Sequence, residues 1–233
     1  MDIFANLKDF QGRRMAIIKA TTRLQNQASA LARQRLGWRV DLPEAERNKI
    51  NRKAQALVKA LQTGGEIPAE QMAVAEIVVG FASACRDASL PLNDERDRVQ
   101  KVMVDLVQSL PAWPWVKAVK GFGPINFAAL IGETGDLFNF ANPAKLWSYC
   151  CLGVVDGKQQ VEASHRKKSV TWLLGDCLIK GNKDGYRTIY DERKAYESER
   201  PETKNKMHAH RKAQRYMVKR VLRDLWTEWT QAA

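Results

Sequence analysis

Apolar residues recur at helical spacing from the beginning of the chain. Ile17, Leu24 and Leu31 are seven residues apart, and Ala28 occupies the other position of the same seam. A seven-residue apolar repeat is typical of helices that pack lengthwise against one another. The pattern predicts a long first helix over about residues 11–36.

Three further helices are predicted in the first half of the chain. The first ends at Gly64, because glycine favours the left-handed conformation at a helix C-terminus. The second, over residues 72–85, is apolar almost all round and is therefore expected to be the most buried. The third is expected to begin at a cap formed by Asn93 or Asp94 and to end before Pro111, where a proline stops the helix.

These periods predict a mainly α protein with two domains. Residues 1–110 are expected to form a helical bundle or a coiled-coil hairpin, interpreted either as a scaffold or as an arm for homodimerisation. Residues 111–233 are expected to form a second domain, in which residues 150–161 have the character of strands. A two-residue turn at Asp156 and Gly157 predicts one small β-hairpin there.

The segment 116–135, VKAVKGFGPINFAALIGETG, predicts two short helices joined by a tight turn. Gly121 and Gly123 allow the turn, Pro124 suits the first position of the second helix, and Phe122 is expected to fill the core of the hairpin. The unpaired N–H groups at the start of the second helix would then face outward and favour a phosphate. This is the pattern of a helix-hairpin-helix motif, which holds the sugar-phosphate backbone and reads little base sequence. An ordinary tight helical hairpin stays the alternative.

This hairpin and the residues that follow it, up to Gly153, resemble the carboxy-terminal domain of the insertion-sequence 110/116/902 transposase family, which includes Piv-type DNA invertases. The residues that carry the resemblance are Gly121, Gly123, Pro124, Ala128, Ala129, Leu130, Glu133, Gly135, Asp136, Leu137, Phe140, Lys145, Leu146, Tyr149 and Gly153. A looser resemblance extends through SHRKKSVTWLL from Ser164 and HRKAQRYMVKRVLRDLW from His210. The family implies DNA strand exchange, which structured RNA directs in some members.

The catalytic elements of that family are not evident in the sequence. Its recombinases begin with a RuvC-like domain whose first β-strand bears a metal-binding Asp, whereas residues 1–20 contain no such strand. Two-metal phosphoryl chemistry needs a set of such acidic ligands. The family's serine would lie near Gln159 and Gln160; the nearest hydroxyl, Ser164, is a weak catalytic candidate because it also suits the cap of the next helix. The sequence therefore predicts a binding protein, and a serine-using recombinase subunit that acts with a partner stays open.

Positive charge is concentrated towards both ends of the chain. The 38 Lys and Arg exceed the 26 Asp and Glu, which gives a net charge of +12. Residues 1–40 contain eight basic and two acidic residues, and residues 158–224 contain eighteen and nine. Such a distribution favours a polyanionic partner. DNA is the predicted partner, and structured RNA is the alternative.

The last helix carries the clearest basic face. Lys212, Arg215, Lys219 and Arg223 recur on one side of it, with no acidic residue between His208 and Arg223. The hairpin and the basic residues on either side of the preceding helix extend this face into a predicted DNA-binding surface. Its predicted residues are Lys120, Gly121, Phe122, Gly123, Pro124, His165, Arg166, Lys167, Lys168, Lys180, Lys183, Arg211, Lys212, Arg215, Lys219 and Arg223.

No cofactor, metal site or membrane segment is predicted. The four cysteines form no CxxC pair, and His208 and His210 would point to different sides of a helix. No apolar run reaches the ~18 residues of a membrane span, and the first residues lack the apolar core of a signal peptide. The expected setting is a reducing cytoplasm.

Overall fold

The computed structural model describes residues 2–155, 158–159, 165–181 and 185–232. The prediction of a mainly α fold is confirmed. Within the described residues there are nine α-helices, joined by turns and by short 3₁₀ segments at Ala69–Gln71 and Leu137–Asn139. Their bounds are α1 Ile3–Arg35, α2 Glu44–Thr63, α3 Met72–Val107, α4 Trp113–Ala118, α5 Pro124–Thr134, α6 Pro143–Tyr149, α7 His165–Gly181, α8 Tyr186–Glu199 and α9 Lys206–Gln231.

The two paired strands are very short. β1 (Val154–Val155) runs antiparallel to β2 (Lys158–Gln159), with Val154 opposite Gln159. Cys150 and Cys151, which were expected to begin the first strand, instead follow the end of α6, and the Leu152 N–H donates back to the Trp147 carbonyl. The predicted Asp156–Gly157 turn lies outside the described residues.

The chain divides into two compact units. Residues 13–99 form one, and residues 1–12 together with 100–233 form the other, so that α1 and α3 contribute to both. This division is not the same as the predicted boundary after residue 110, which stays a prediction about independently folding domains. No helix among the described residues is long and apolar enough to cross a membrane.

The unit of residues 13–99 is built from small apolar side chains on α1, α2 and α3. Gly64 adopts a left-handed conformation (φ 71°) at the end of α2, as predicted for a helix C-cap. The fully buried part of the core of this unit consists mainly of small side chains, and Leu24, Leu31, Leu36 and Leu61 pack against it. Its buried members are Ala28, Ala32, Ala54, Val58, Val78, Ala82 and Cys85.

Helix α3 differs from its prediction in two ways. It continues without a break from Met72 to Val107 and contains Pro91, so Asn93 and Asp94 lie inside the helix and do not cap a new one. A proline in a helix interior removes one backbone hydrogen bond, but the helix can continue when its neighbours support it.

The second difference is that α3 is not the most buried helix. Val78 and Ala82 are fully buried, whereas Ile77 is 55% exposed and Phe81 43% exposed on the other face. The helix is therefore apolar both on the face that the chain buries and on the face that it leaves exposed. The helix with the most continuous burial is α5, where every residue from Phe127 to Gly132 is buried.

The other unit has an aromatic core around α5. Phe127 packs edge-on against Phe122 and Trp229, with ring centroids 6.0 and 6.3 Å away, and Trp229 is fully buried. The beginning of α1 also belongs to this core, because Leu7 and Gln11 are fully buried. This explains why α1 starts eight residues before the predicted position: its first turns pack in a unit that the seven-residue repeat did not reveal.

Candidate nucleic-acid interface

The loop between α4 and α5 has the backbone conformation that its two glycines allow. Gly121 and Gly123 have φ values of 86° and 69°, in the left-handed region that favours glycine. Pro124 is the first residue of α5, as predicted, and Gly123 precedes it as an N-cap without a side chain that could bond the first turn. The backbone N–H groups of that turn are therefore left without a side-chain cap.

The two glycines have different surroundings. A Cβ atom on Gly121 would lie 2.8 Å from the Cys177 carbonyl oxygen and 3.3 Å from the Gly181 Cα, because the loop packs directly on the end of α7. A Cβ atom on Gly123 would have the Asn126 amide nitrogen, 3.9 Å away, as its nearest neighbour among the described residues. Gly121 is thus required for packing, and Gly123 leaves the loop open on its outer side.

Phe122 fills the interior of this hairpin, as predicted. It is fully buried, and its ring meets Trp115 and Phe127 edge-on at 6.0 Å in each case. Its side chain cannot reach a bound nucleic acid without unfolding the hairpin. Phe122 therefore belongs to the predicted surface only as the residue that holds the loop in place.

Two basic residues at the start of α7 already have partners. The Arg166 guanidinium forms a 2.9 Å ion pair with Glu133, whose side chain is nearly buried and also accepts a hydrogen bond from Gln11. The Lys167 ammonium lies 3.2 Å from the centre of the Tyr149 ring. These contacts join α7 to α5 and α6, so the two charges stabilise the fold in addition to any contact with a ligand.

The predicted basic face of α9 exists, but its members are not equivalent. Lys212 pairs with Glu197 at 3.1 Å, Arg223 pairs with the neighbouring Asp224 at 2.7 Å, and Lys219 lies 5.5 Å from the centre of the Trp147 ring. Arg215 has no hydrogen bond or ion pair to any residue that the structure describes. Arg211 is exposed and likewise has none within the same part of the chain.

A groove of about 700 Å³ lies between α7 and α9. We call it the α7–α9 groove. It brings together Lys168, Arg211 and Arg215 from the predicted set, beside the indole of Trp172. Its lining residues are Leu152, Lys168, Ser169, Thr171, Trp172, Leu173, Asp176, His208, Arg211 and Arg215.

Positive charge is crowded along the α9 side of this groove. Arg215 is half-buried, and the loss of hydration lowers the pKa of its guanidinium. The pKa of Lys219, one turn further along α9, is also lowered, first by burial and then by repulsion from Arg215. Burial of these two cations costs hydration, and for Arg215 no ion pair with a described carboxylate offsets that cost. An anionic ligand would relieve that cost.

The walls of the groove are fixed by one buried amide. Gln214 is fully buried, and its Nε2 donates to the Trp172 carbonyl (3.0 Å) and to Asp176 Oδ1 (2.9 Å). It fits because Gly175 has no side chain: a Cβ there would lie 2.7 Å from the Gln214 nitrogen. Asp176, the acidic residue in the groove lining, therefore accepts a hydrogen bond from Gln214. It forms no ion pair with Arg215.

The hairpin and the groove lie on different faces of α7. Trp172 and Asp176 line the groove, whereas Cys177 and Gly181 contact the hairpin loop. At about 100° per residue, the two sets are centred roughly 140° apart around the helix. The structure thus does not combine the hairpin and the α9 basic face into one continuous strip, and the predicted surface has two separate parts.

Three of the predicted residues lie wholly or partly outside the described residues. Ser164 and Lys183 lie outside the described residues, as does the side chain of His165. Lys120, Lys168 and Lys180 are exposed. Among the described residues, no group of three or more His, Cys, Asp or Glu side chains is close enough to hold a metal ion.

Three residues at or near the groove were not predicted from the sequence. Trp172 was not among the predicted site residues, although it borders the groove and meets the His210 ring edge-on at 6.2 Å. Trp147 was not singled out, although Lys219 lies against it. Gln214 carries no periodic signal of its own; its position among the apolar residues of α9, facing a glycine on another helix, could only be recognised once the helices were paired.

The segment that surrounds the hairpin matches a known family. Residues 115–158 match the model of the Transposase IS116/IS110/IS902 family, which confirms the resemblance for that part of the chain. The segment includes the loop glycines, α5, α6 and β1, and it ends at the first residue of β2. The looser resemblance around residues 164–174 and 210–226 lies beyond it. Neither a search of curated proteins nor a search of solved structures gave a match.

Asp136, which the resemblance includes, caps the short turn at Leu137–Asn139 and also bonds to α9. Its Oδ1 accepts from the Phe138 N–H at 3.0 Å and from the Trp229 indole N–H at 3.1 Å. The Trp226 indole donates to the Phe140 carbonyl nearby, at 3.0 Å. The matched segment and the C-terminal end of α9 are therefore tied together, so that the basic helix has a fixed position on the segment that matches the transposase family.

Proposed function

We propose that this protein binds the phosphate backbone of DNA as a component of a transposition or recombination system. The observation that carries the proposal is that Lys168, Arg211 and Arg215 line the α7–α9 groove, where Arg215 has no ion pair with any carboxylate among the described residues. Phosphates are the anions that a groove with Lys168, Arg211 and Arg215 on its rim would accept. The match of residues 115–158 to a transposase family supports DNA as the source of those phosphates.

The hairpin provides a second proposed contact, separate from the groove. The open side of Gly123 and the uncapped first turn of α5 would accept a phosphate as a helix-hairpin-helix does. Lys120 is exposed beside it. Because the hairpin and the groove lie on different faces of α7, we propose that they contact different strands or different turns of the nucleic acid.

Binding can be tested with a competition panel. Labelled linear duplex would be displaced by unlabelled duplex, single-stranded DNA, four-way-junction DNA or structured RNA. We expect DNA to compete best, and we expect Arg215→Gln combined with Lys219→Gln to weaken binding to every DNA form by about tenfold or more, since phosphate contacts carry little sequence information. A preference for structured RNA would contradict the choice of DNA.

The matched control is Arg52→Gln, which removes one positive charge from the exposed face of α2 in the other unit. We expect it to leave the affinity nearly unchanged. If it weakens binding as much as the groove variants do, general charge and not the groove is responsible.

The hairpin contact can be tested with two substitutions at one position. Gly123→Gln and Gly123→Glu impose the same backbone strain at φ 69°, but the second adds a negative charge. We expect the Glu variant to bind DNA more weakly than the Gln variant. Equal affinities of the two would remove the hairpin from the proposed surface.

A further inference from the structure

The exposed face of α3 is an uncharged strip that the other described residues leave uncovered. Its members are Ala73, Ile77, Gly80, Phe81, Ala84 and Ala88, all exposed. Except for the neighbours Gly80 and Phe81, successive members are three or four residues apart. We call them the α3 strip. At 1.5 Å per residue the strip is about 22 Å long. The opposite face, with Val78, Ala82 and Cys85, is buried against α1 and α2.

Gly80 has no purpose within the described part of the chain. A Cβ atom there would have no neighbour within 4 Å, and its φ is not in the left-handed region. Glycine weakens a helix interior relative to alanine, so an unneeded glycine requires another explanation. Together with Ala84 and Ala88 it places a small residue at every fourth position, the spacing that lets a second helix backbone approach closely.

We propose that the α3 strip is a homodimer contact, in which α3 of one copy packs antiparallel on α3 of a second copy. The two large residues of the strip, Ile77 and Phe81, come before its last two members, Ala84 and Ala88, which are small. An antiparallel pair places Phe81 of each copy over Ala84 of the other, and Ile77 over Ala88. A parallel pair would instead place Phe81 against Phe81.

The charge of the chain also favours a second copy at this face. A protein with a net charge of +12 repels its own copies through most of its surface, but the α3 strip contains no charged side chain. A strip about 22 Å long and ~10 Å wide buries a few hundred Å² on each copy, which is less than the ~800 Å² per partner of a standard interface and is typical of weak, transient contacts. The dimer is therefore weak and its population depends on protein concentration. This inference does not depend on nucleic-acid binding.

Sedimentation equilibrium of the full chain without nucleic acid, from about 1 to about 300 µM, tests the proposal directly. We expect the weight-average mass to rise from monomer towards dimer. Phe81→Glu should weaken the association at least about tenfold, because it places a charge in the contact. Val40→Glu is the matched control, since Val40 is 77% exposed in the loop after α1 and should have no effect. A chain that stays monomeric throughout, or a Phe81→Glu variant that associates like the wild type, overturns the proposal.

Gly80→Leu separates loss of contact from loss of folding. In the monomer it replaces a helix-weakening residue at a position with open space, so the thermal midpoint should stay the same or rise. In the dimer it blocks the close approach, so association should fall. An unchanged dissociation constant for this variant would contradict the close helix contact.

The antiparallel register has its own test. Chains with Ile77→Cys and chains with Ala88→Cys are mixed and oxidised, and the disulfides are mapped by mass spectrometry. We expect mixed pairs that join position 77 of one copy to position 88 of the other. Predominant 77–77 and 88–88 pairs would overturn the antiparallel arrangement.

Discussion

Gly132 and Gly12 both lie in helices, but a side chain added at the two positions would meet very different surroundings. Gly132 in α5 lies against α1: a Cβ there would be 2.7 Å from the Gln11 Cβ and 2.8 Å from the Leu7 carbonyl oxygen. Gly12 in α1 has no atom within 4 Å of a built Cβ. The same substitution to alanine should therefore have opposite effects on stability at the two positions.

We expect Gly132→Ala to destabilise the protein by about 1–3 kcal/mol, because it overfills a closely packed contact. Gly12→Ala should stabilise it by about 0.5–1 kcal/mol, because it only improves helix propensity. Urea denaturation of the two variants gives both values. A neutral Gly132→Ala variant would mean that α1 and α5 are not packed as closely as described.

We expect His210 to make stability depend on pH near neutrality. Burial lowers the pKa of its imidazole, an effect that Asp176 opposes and that Lys194 and Arg211 reinforce. Its Nδ1 lies 2.7 Å from the Tyr190 hydroxyl. Since the folded pKa is below the ordinary value of 6.5, the unfolded chain takes up its proton first as pH falls. The contribution of neutral His210 is complete above pH 6.5 and is lost below it.

We therefore expect the thermal midpoint to fall between pH 7.5 and pH 5.5, and to fall less in His210→Gln than in the wild type. Calorimetry at a series of pH values in one buffer ionic strength measures this. A difference between the two proteins that does not change with pH would show that His210 does not titrate in this way.

At the scale of the helix, α9 contains neighbouring cations with different roles. Lys212 pairs with Glu197, whose side chain is 3% exposed. Burial raises the pKa of that carboxyl, but its contacts with Lys212 and Arg193 outweigh burial and hold the pKa below its usual range. Arg211 points into the α7–α9 groove and has no such partner among the described residues.

Substitution of each residue by glutamine should separate stability from binding. We expect Lys212→Gln to cost about 2–4 kcal/mol of unfolding free energy, because it leaves a buried carboxylate with one partner fewer. Arg211→Gln should leave stability within about 0.5 kcal/mol and weaken DNA binding. Denaturation and binding titrations on both proteins are needed, and the reverse order of effects would contradict the assignment.

The helices themselves could largely be predicted from the sequence, because apolar spacing and glycine caps are local signals. Gly64 ends α2 and Pro124 starts α5 where expected. The predicted cap at Asn93 or Asp94 was wrong, because α3 continues through Pro91 and past both residues. The apolar pattern of α3 was correctly recognised, but it could not show that Ile77 and Phe81 face solvent, since that depends on how many helices the chain provides to cover them.

The sequence predicted residues of the candidate site, but it did not predict which of their charges form ion pairs within the fold. The charge pattern of α9 identified Arg215 and Lys219, but it could not distinguish them from Lys212, whose partner Glu197 lies on α8. The separation of hairpin and groove around α7 likewise depends on which faces α5 and α9 cover. These are long-range contacts, and a linear pattern of charges and apolar residues does not contain them.

At the scale of the whole molecule, the two units carry different features. The unit of residues 1–12 and 100–233 contains the segment that matches a transposase family, and the unit of residues 13–99 contains the α3 strip. The two proposals assign these features to DNA binding and to self-association. They are independent, because the first depends on charges of α7 and α9 and the second on uncharged residues of α3.

The salt dependence of DNA affinity tests the central claim most directly. If about eight phosphates are neutralised, the logarithm of the association constant should fall with the logarithm of salt concentration with a slope near −7 on duplex DNA. Arg211→Gln combined with Arg215→Gln should make that slope shallower by about 2, whereas Arg52→Gln should not change it. A flat salt dependence, or a slope that the groove variants leave unchanged, would contradict the proposal that the α7–α9 groove binds the phosphate backbone.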